Sequence, residues 1–131
     1  MPVEGCQVRY PKDSEVELVR SEGRMITVLF ILRRRQDIDS AAFEDYWKNV
    51  HGPVAARLPS LRKLVQYHPY PDPYGDGLPA DGIDELEFDS IESMQSALAT
   101  PEGQAMLEGM ENFLDTSRSG PLVVQEDIRL V

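Results

Sequence analysis

The run Met25-Ile26-Thr27-Val28-Leu29-Phe30-Ile31-Leu32 limits the possible folds of this chain more than any other stretch. Alternate side chains of a strand point to opposite faces. Ile26, Val28, Phe30 and Leu32 then share one face, and Met25, Thr27, Leu29 and Ile31 share the other. A strand that is apolar on both sides is covered on both sides. The chain has 131 residues, the length of one domain. One cover is therefore a layer of helices, and the other is a second sheet or a second subunit.

The elements after this strand follow in a definite order. Asp39, or Ser40 one place on, caps a helix that runs to Asn49 or Val50, with Ala42, Phe43, Tyr46, Trp47 and Val50 as its apolar stripe. Gly52 and Pro53 read as its stop. Val54 to Leu58 gives a short helical turn. Leu61 to Tyr70 alternates as a second strand. Its set Leu61, Lys63, Val65 and Tyr67 is expected to pack on helices, and Gln66 and His68 to point together to the far side.

Pro69 to Gly82 holds four prolines and three glycines in fourteen residues and reads as a loop, a lid or a disordered segment. Tyr70 and Tyr74 lie in it. Ile83 to Asp89 is a third strand, with Glu85 and Glu87 on the face opposite Leu86 and Phe88. Asp89 or Ser90 caps a helix with Ile91, Met94 and Leu98 as its stripe. Thr100-Pro101-Glu102 opens another, with Met106, Leu107, Met110, Phe113 and Leu114. Leu122 to Val131 is the predicted last strand.

The predicted class is α+β, a ferredoxin-like βαββαβ over residues 25–131. Residues 1–24 form an N-terminal extension, with a possible short edge strand at Val8 and Tyr10.

Charge and cysteine content narrow the partners. A net charge of -10 argues against nucleic acid, which needs a basic patch, and Arg33-Arg34-Arg35 reads as a solvated strand end. No apolar run approaches the roughly 20 residues that cross a bilayer. A single cysteine, Cys6, cannot form an internal disulfide, and no signal-like N-terminus precedes it, so the expected compartment is the cytoplasm. Nothing basic is placed beside Cys6 in sequence to activate it.

Several motifs then agree in order with one family. They are Phe43-x-x-Tyr46-Trp47-x-x-x-His51-x-Pro53, Leu58-Pro59-x-Leu61, Val65-Gln66-x-His68, Asp81-Gly82-Ile83-x-Glu85-Leu86-x-Phe88, Thr100-Pro101-Glu102-Gly103 and Asn112-Phe113-x-Asp115. Over about residues 25 to 131 the chain resembles the EthD-domain family. The resemblance implies a homodimeric α/β barrel of two ferredoxin-like protomers. Its wider superfamily includes cofactor-free monooxygenases, isomerases, decarboxylases and haem-degrading enzymes, so it constrains fold far more than reaction.

The chemistry expected on this basis is acid–base work by His51 with His68 on a small hydrophobic molecule of aromatic, lactone or polyketide type. Gln66, Tyr46 and Tyr67 would hold a carbonyl or hydroxyl, and Glu85 would face the same cleft. The competing role for His51 is a helix C-cap that donates to the last carbonyls. No cofactor and no metal is expected, since no H-x-H or H-x-x-x-H pair exists. Haem held by one histidine is the alternative that the superfamily suggests. The competing function is a non-catalytic binding or auxiliary protein that assists an oxygenase.

Overall fold

The computed structural model describes residues 25–131. The extension and Cys6 lie outside the described residues. Four strands, β1 (Ile26–Leu32), β2 (Lys63–Tyr67), β3 (Gly82–Phe88) and β4 (Gly120–Val124), form one sheet in the order β2-β3-β1-β4. Every pairing is antiparallel. Helix α1 (Ser40–Tyr46), a π turn (Trp47–His51) and α2 (Gly52–Ala55) join β1 to β2, and α3 (Ile91–Leu98) and α4 (Pro101–Gly109) join β3 to β4. This is the ferredoxin-like arrangement expected from the element order.

Local chemistry sets the helix starts. The Asp39 carboxylate accepts from Ala42 N at 2.8 Å, Ser90 and Ser93 cap each other reciprocally, and Thr100 accepts from Gly103 N with Pro101 just inside α4. The corner between α3 and α4 closes only around a glycine. A Cβ on Gly103 would lie 2.5 Å from the carbonyl oxygens of both Ala97 and Leu98.

The core lies between the sheet and the helices. Val28 and Leu32 of β1, Leu86 and Phe88 of β3, and Phe43, Trp47, Met106 and Phe113 from the helical side are buried together. The register places Val65, Glu85, Leu29 and Leu122 in one row across the opposite face. Among the described residues no helix covers that face, so β1 buries one side and leaves Leu29 and Ile31 only partly covered.

Four details differ from the sequence reading. Gly52 and Pro53 do not stop the helix. Gly52 has φ -54 and ψ -53, in the right-handed helical region, and its N–H reaches Trp47 O. This wide i→i+5 turn carries the chain into α2 where Pro53 contributes no N–H. Strand β2 presents the opposite face from the one expected, because Leu64 and Gln66 turn to the helices and Lys63, Val65 and Tyr67 to the open face. The last strand ends at Val124, whose partner Thr27 lies one residue from the start of β1. The arginine run is more than a solvated end. Arg33 donates to Leu78 O, Arg34 to Ile38 O, and Arg35 to Glu111 O and to Asp37, tying neighbouring turns together.

Candidate functional site

Two places on the helix-covered side of the sheet are candidate sites. The first is built around Trp47, which is fully buried. Its ring lies flat against β3 because residue 82 is glycine: a Cβ there would sit 2.3 Å from the ring edge. Its indole N–H donates to Asp84 Oδ1 at 2.9 Å. Asp84, only 3% exposed, turns its other oxygen to His51 Nε2 at 3.5 Å. His51 is 4% exposed and packs against Phe113 at 5.0 Å. Its one polar contact among the described residues is with Asp84 and not with a helix carbonyl, so it does not cap the helix.

His68 stacks on the other side of the indole, with ring centroids 3.9 Å apart. Its Nδ1 faces Glu44 Oε1 at 2.6 Å and its Nε2 faces Gln66 Oε1 at 3.0 Å. The Gln66 orientation is set by its other end, where Nε2 donates to the Trp47 carbonyl at 2.9 Å. Both imidazole nitrogens therefore face side-chain oxygens. Glu44, Asp45, Lys48, Asn49, Gln66 and His68 line a polar groove open to solvent.

The two histidines are linked through shared partners, with contacts running His51–Asp84–Trp47–His68. Asp84 is the member that the sequence reading passed over. Tyr46 stays close by, on Phe113 at 5.1 Å, with its hydroxyl accepting from Asn112 Nδ2. Tyr67 and Glu85 do not join the group. They lie on the open face, where the Tyr67 hydroxyl donates to Glu85 and Lys63 pairs with Glu85 and Glu87. The Tyr67 hydrogen bond, helped by Lys63, holds the Glu85 carboxyl below its ordinary range, and the same hydrogen bond pushes the Tyr67 phenol up against the opposing effect of Lys63.

The loop expected between β2 and β3 is irregular and organised by one side chain. Asp72 accepts from the backbone N–H groups of Tyr74, Gly75 and Gly77, and both glycines have positive φ. Tyr70 and Tyr74 stand fully outward from it.

The second place is a cavity of about 330 Å³ between the sheet and helices α3 and α4. Val28, Phe30, Leu86 and Phe88 form its floor. Met94, Leu98, Met106, Leu107 and Met110 form its roof. Residues 119–121 and Val123 close the end beside β4. Sequence periodicity names the roof residues as core but gives no sign that they enclose space. The lining contains no histidine, so a haem there would find no imidazole ligand, and these residues do not fit one. Among the described residues no three His, Cys, Asp or Glu side chains are grouped to hold a metal ion. No described helix is long and apolar enough to cross a membrane.

Comparison with known proteins decides the family. The model of the EthD domain matches residues 35–117, well over half of the chain. The chain belongs to the EthD family. A crystal structure of an EthD family protein from Bacillus halodurans is 23% identical, with a TM-score of 0.67 over 79% of this chain and 99% of that one. SnoaB, a cofactor-independent oxygenase from Streptomyces nogalater, is 12% identical, with a TM-score of 0.57 over 81% and 96%. A dimeric ferredoxin-like protein of unknown function from Bacteroides fragilis is 14% identical, with a TM-score of 0.55 over 76% and 92%. At these identities the likeness establishes the fold of this EthD protein. No functionally curated protein matches it.

Proposed function

We propose that this EthD protein binds a small, predominantly apolar molecule in the cavity under α3 and α4, and does so as a cytoplasmic homodimer joined through the open sheet faces. The lining carries the reading. Ligand sites are concave, mostly apolar and about 300–1,000 Å³, with few polar groups. This cavity matches that description, and its three methionines give a soft wall that adapts to a ligand's shape. No group in the lining moves a proton near neutral pH. The geometry therefore favours holding and orienting a molecule, the auxiliary role, ahead of transforming it within the cavity.

Acid–base catalysis without a cofactor is the second reading, and the Glu44–His68 contact favours it. An imidazole held by a carboxylate and open to a groove is placed to exchange a proton with a bound molecule. His51 and Asp84 are buried, so they would act only on a ligand that enters the core around them. Oxidoreductase chemistry of the kind named for SnoaB gives a reason to measure oxygen uptake.

A panel of neutral aromatic and lactone compounds, screened by thermal shift, tests the first reading. A ligand at 100 times its Kd stabilises by about 2.7 kcal/mol, on the order of 10 °C for a domain of this size. Hits are then incubated in air without cofactor. Binding without turnover supports the auxiliary role, and oxygen uptake or product formation supports catalysis. A panel in which no neutral apolar compound raises the midpoint contradicts the binding reading.

A further inference from the structure

We infer that Ser119 makes the cavity selective for a neutral apolar molecule that carries a hydrogen-bond donor, such as an alcohol or phenol. The inference rests on the cavity being the ligand site, and it adds the ligand's chemical class. Among the described residues of the lining, Ser119 alone has a hydroxyl, amide or charged side chain. A hydroxyl has one proton to give and two lone pairs. The Ser119 hydroxyl donates to Asp115 O at 2.9 Å, with Arg33 O more distant at 3.3 Å. One lone pair is used by the Arg33 backbone N–H at 2.8 Å. The hydroxyl is left with a single acceptor position and no donor.

The other polar atoms of the lining side chains are the sulfurs of Met94, Met106 and Met110, which are weak acceptors as well. A ligand whose polar group only accepts would bury it unpaired, and a carboxylate would bury an unpaired charge. Both lose affinity, the second far more. A ligand hydroxyl, by contrast, meets a fixed acceptor whose geometry is held by two backbone contacts. Preorganisation of this kind turns a weak hydrogen bond into a preference between otherwise similar molecules.

The test compares four probes by calorimetric titration: 2-naphthol, 2-methoxynaphthalene, naphthalene and 2-naphthoate. The expected order puts 2-naphthol about 3- to 10-fold tighter than naphthalene and the methyl ether, the worth of one net hydrogen bond. The anion is expected to bind at least about 100-fold more weakly than 2-naphthol. In Ser119→Ala the preference for 2-naphthol over naphthalene disappears while naphthalene binding is retained, which a purely structural role would not produce. If that variant does not fold, the wild-type series still decides. Equal binding of 2-naphthol and its methyl ether, or tight binding of 2-naphthoate, overturns the selectivity and leaves the cavity reading standing. Failure of all four probes overturns both.

Discussion

Trp47→Ala is expected to cost about 3–5 kcal/mol from lost burial and the cavity left behind. A further cost of about 1–3 kcal/mol comes from the orphaned Asp84 acceptor. The two contributions share a site and will not add fully. Set against the roughly 5–15 kcal/mol that holds a domain together, the variant is expected to be largely unfolded at 37 °C. Trp47→Phe separates the contributions. It keeps an aromatic ring against Phe43 and His68 but removes the donor to Asp84, so the smaller cost alone is expected. Trp47 is the only tryptophan, so unfolding must be followed by far-ultraviolet circular dichroism in denaturant. A loss below about 1 kcal/mol for Trp47→Ala, a small fraction of what burying a large aromatic contributes, would show that the clamp between helix and sheet is not where stability resides.

The second large effect concerns association. The open face offers Leu29, Val65 and Leu122 in one row, and its charged groups already have partners within the face: Lys63 lies between Glu85 and Glu87, and Tyr67 donates to Glu85. With one carboxylate in excess over Lys63, such a face can meet a copy of itself at a small electrostatic cost against the apolar row that it buries. Leu122 is 56% exposed in the single chain, so Leu122→Asp is expected to change the stability of one protomer little. Across a two-fold contact it places an unpaired carboxylate in each interface half, at several kcal/mol per ion. Sedimentation of the wild type is expected to give twice the chain mass, and of Leu122→Asp the mass of one chain. A wild type that stays monomeric at every concentration contradicts the homodimer, as does a variant that stays dimeric.

The sequence disclosed the fold through patterns local to each element. The two-sided apolar strand, the Asp39 and Thr100 caps and the order of elements were enough, since each is set by neighbours within a few residues. Features that depend on partners far along the chain were harder to read. Asp84 alternates with Leu86 and Phe88, so its place on the core face was available, but the indole that satisfies it lies 37 positions away. The face of β2 was misread because an edge strand with mixed polarity carries a weak alternation, and it is the need to seat Gln66 on the Trp47 carbonyl and His68 on the indole that fixes it.

The helix stop at Gly52 and Pro53 was misread for a related reason. A wide turn absorbs the proline, and a Cβ at residue 52 would lie 3.0 Å from Gln66 Nε2, so the glycine leaves that amide undisturbed on the Trp47 carbonyl. Of the proposed site, Gln66, His68, His51 and Tyr46 were legible as candidates and do gather around Trp47 and Phe113, whereas Tyr67 and Glu85 lie apart from them on the open sheet face. The cavity was not legible at all, because it is a space between five elements and no one of them encodes it.

The binding claim is tested most directly by methyl resonances. The chain has five methionines, of which Met94, Met106 and Met110 line the cavity and Met25 is exposed at the start of β1. In protein labelled with [methyl-13C]methionine and titrated with 2-naphthol, the resonances of Met94, Met106 and Met110 are expected to shift together and saturate with one affinity, while that of Met25 holds still. Saturable shifts confined to Met25, or no saturable shift at any of the three cavity methyls, would contradict a ligand site under α3 and α4.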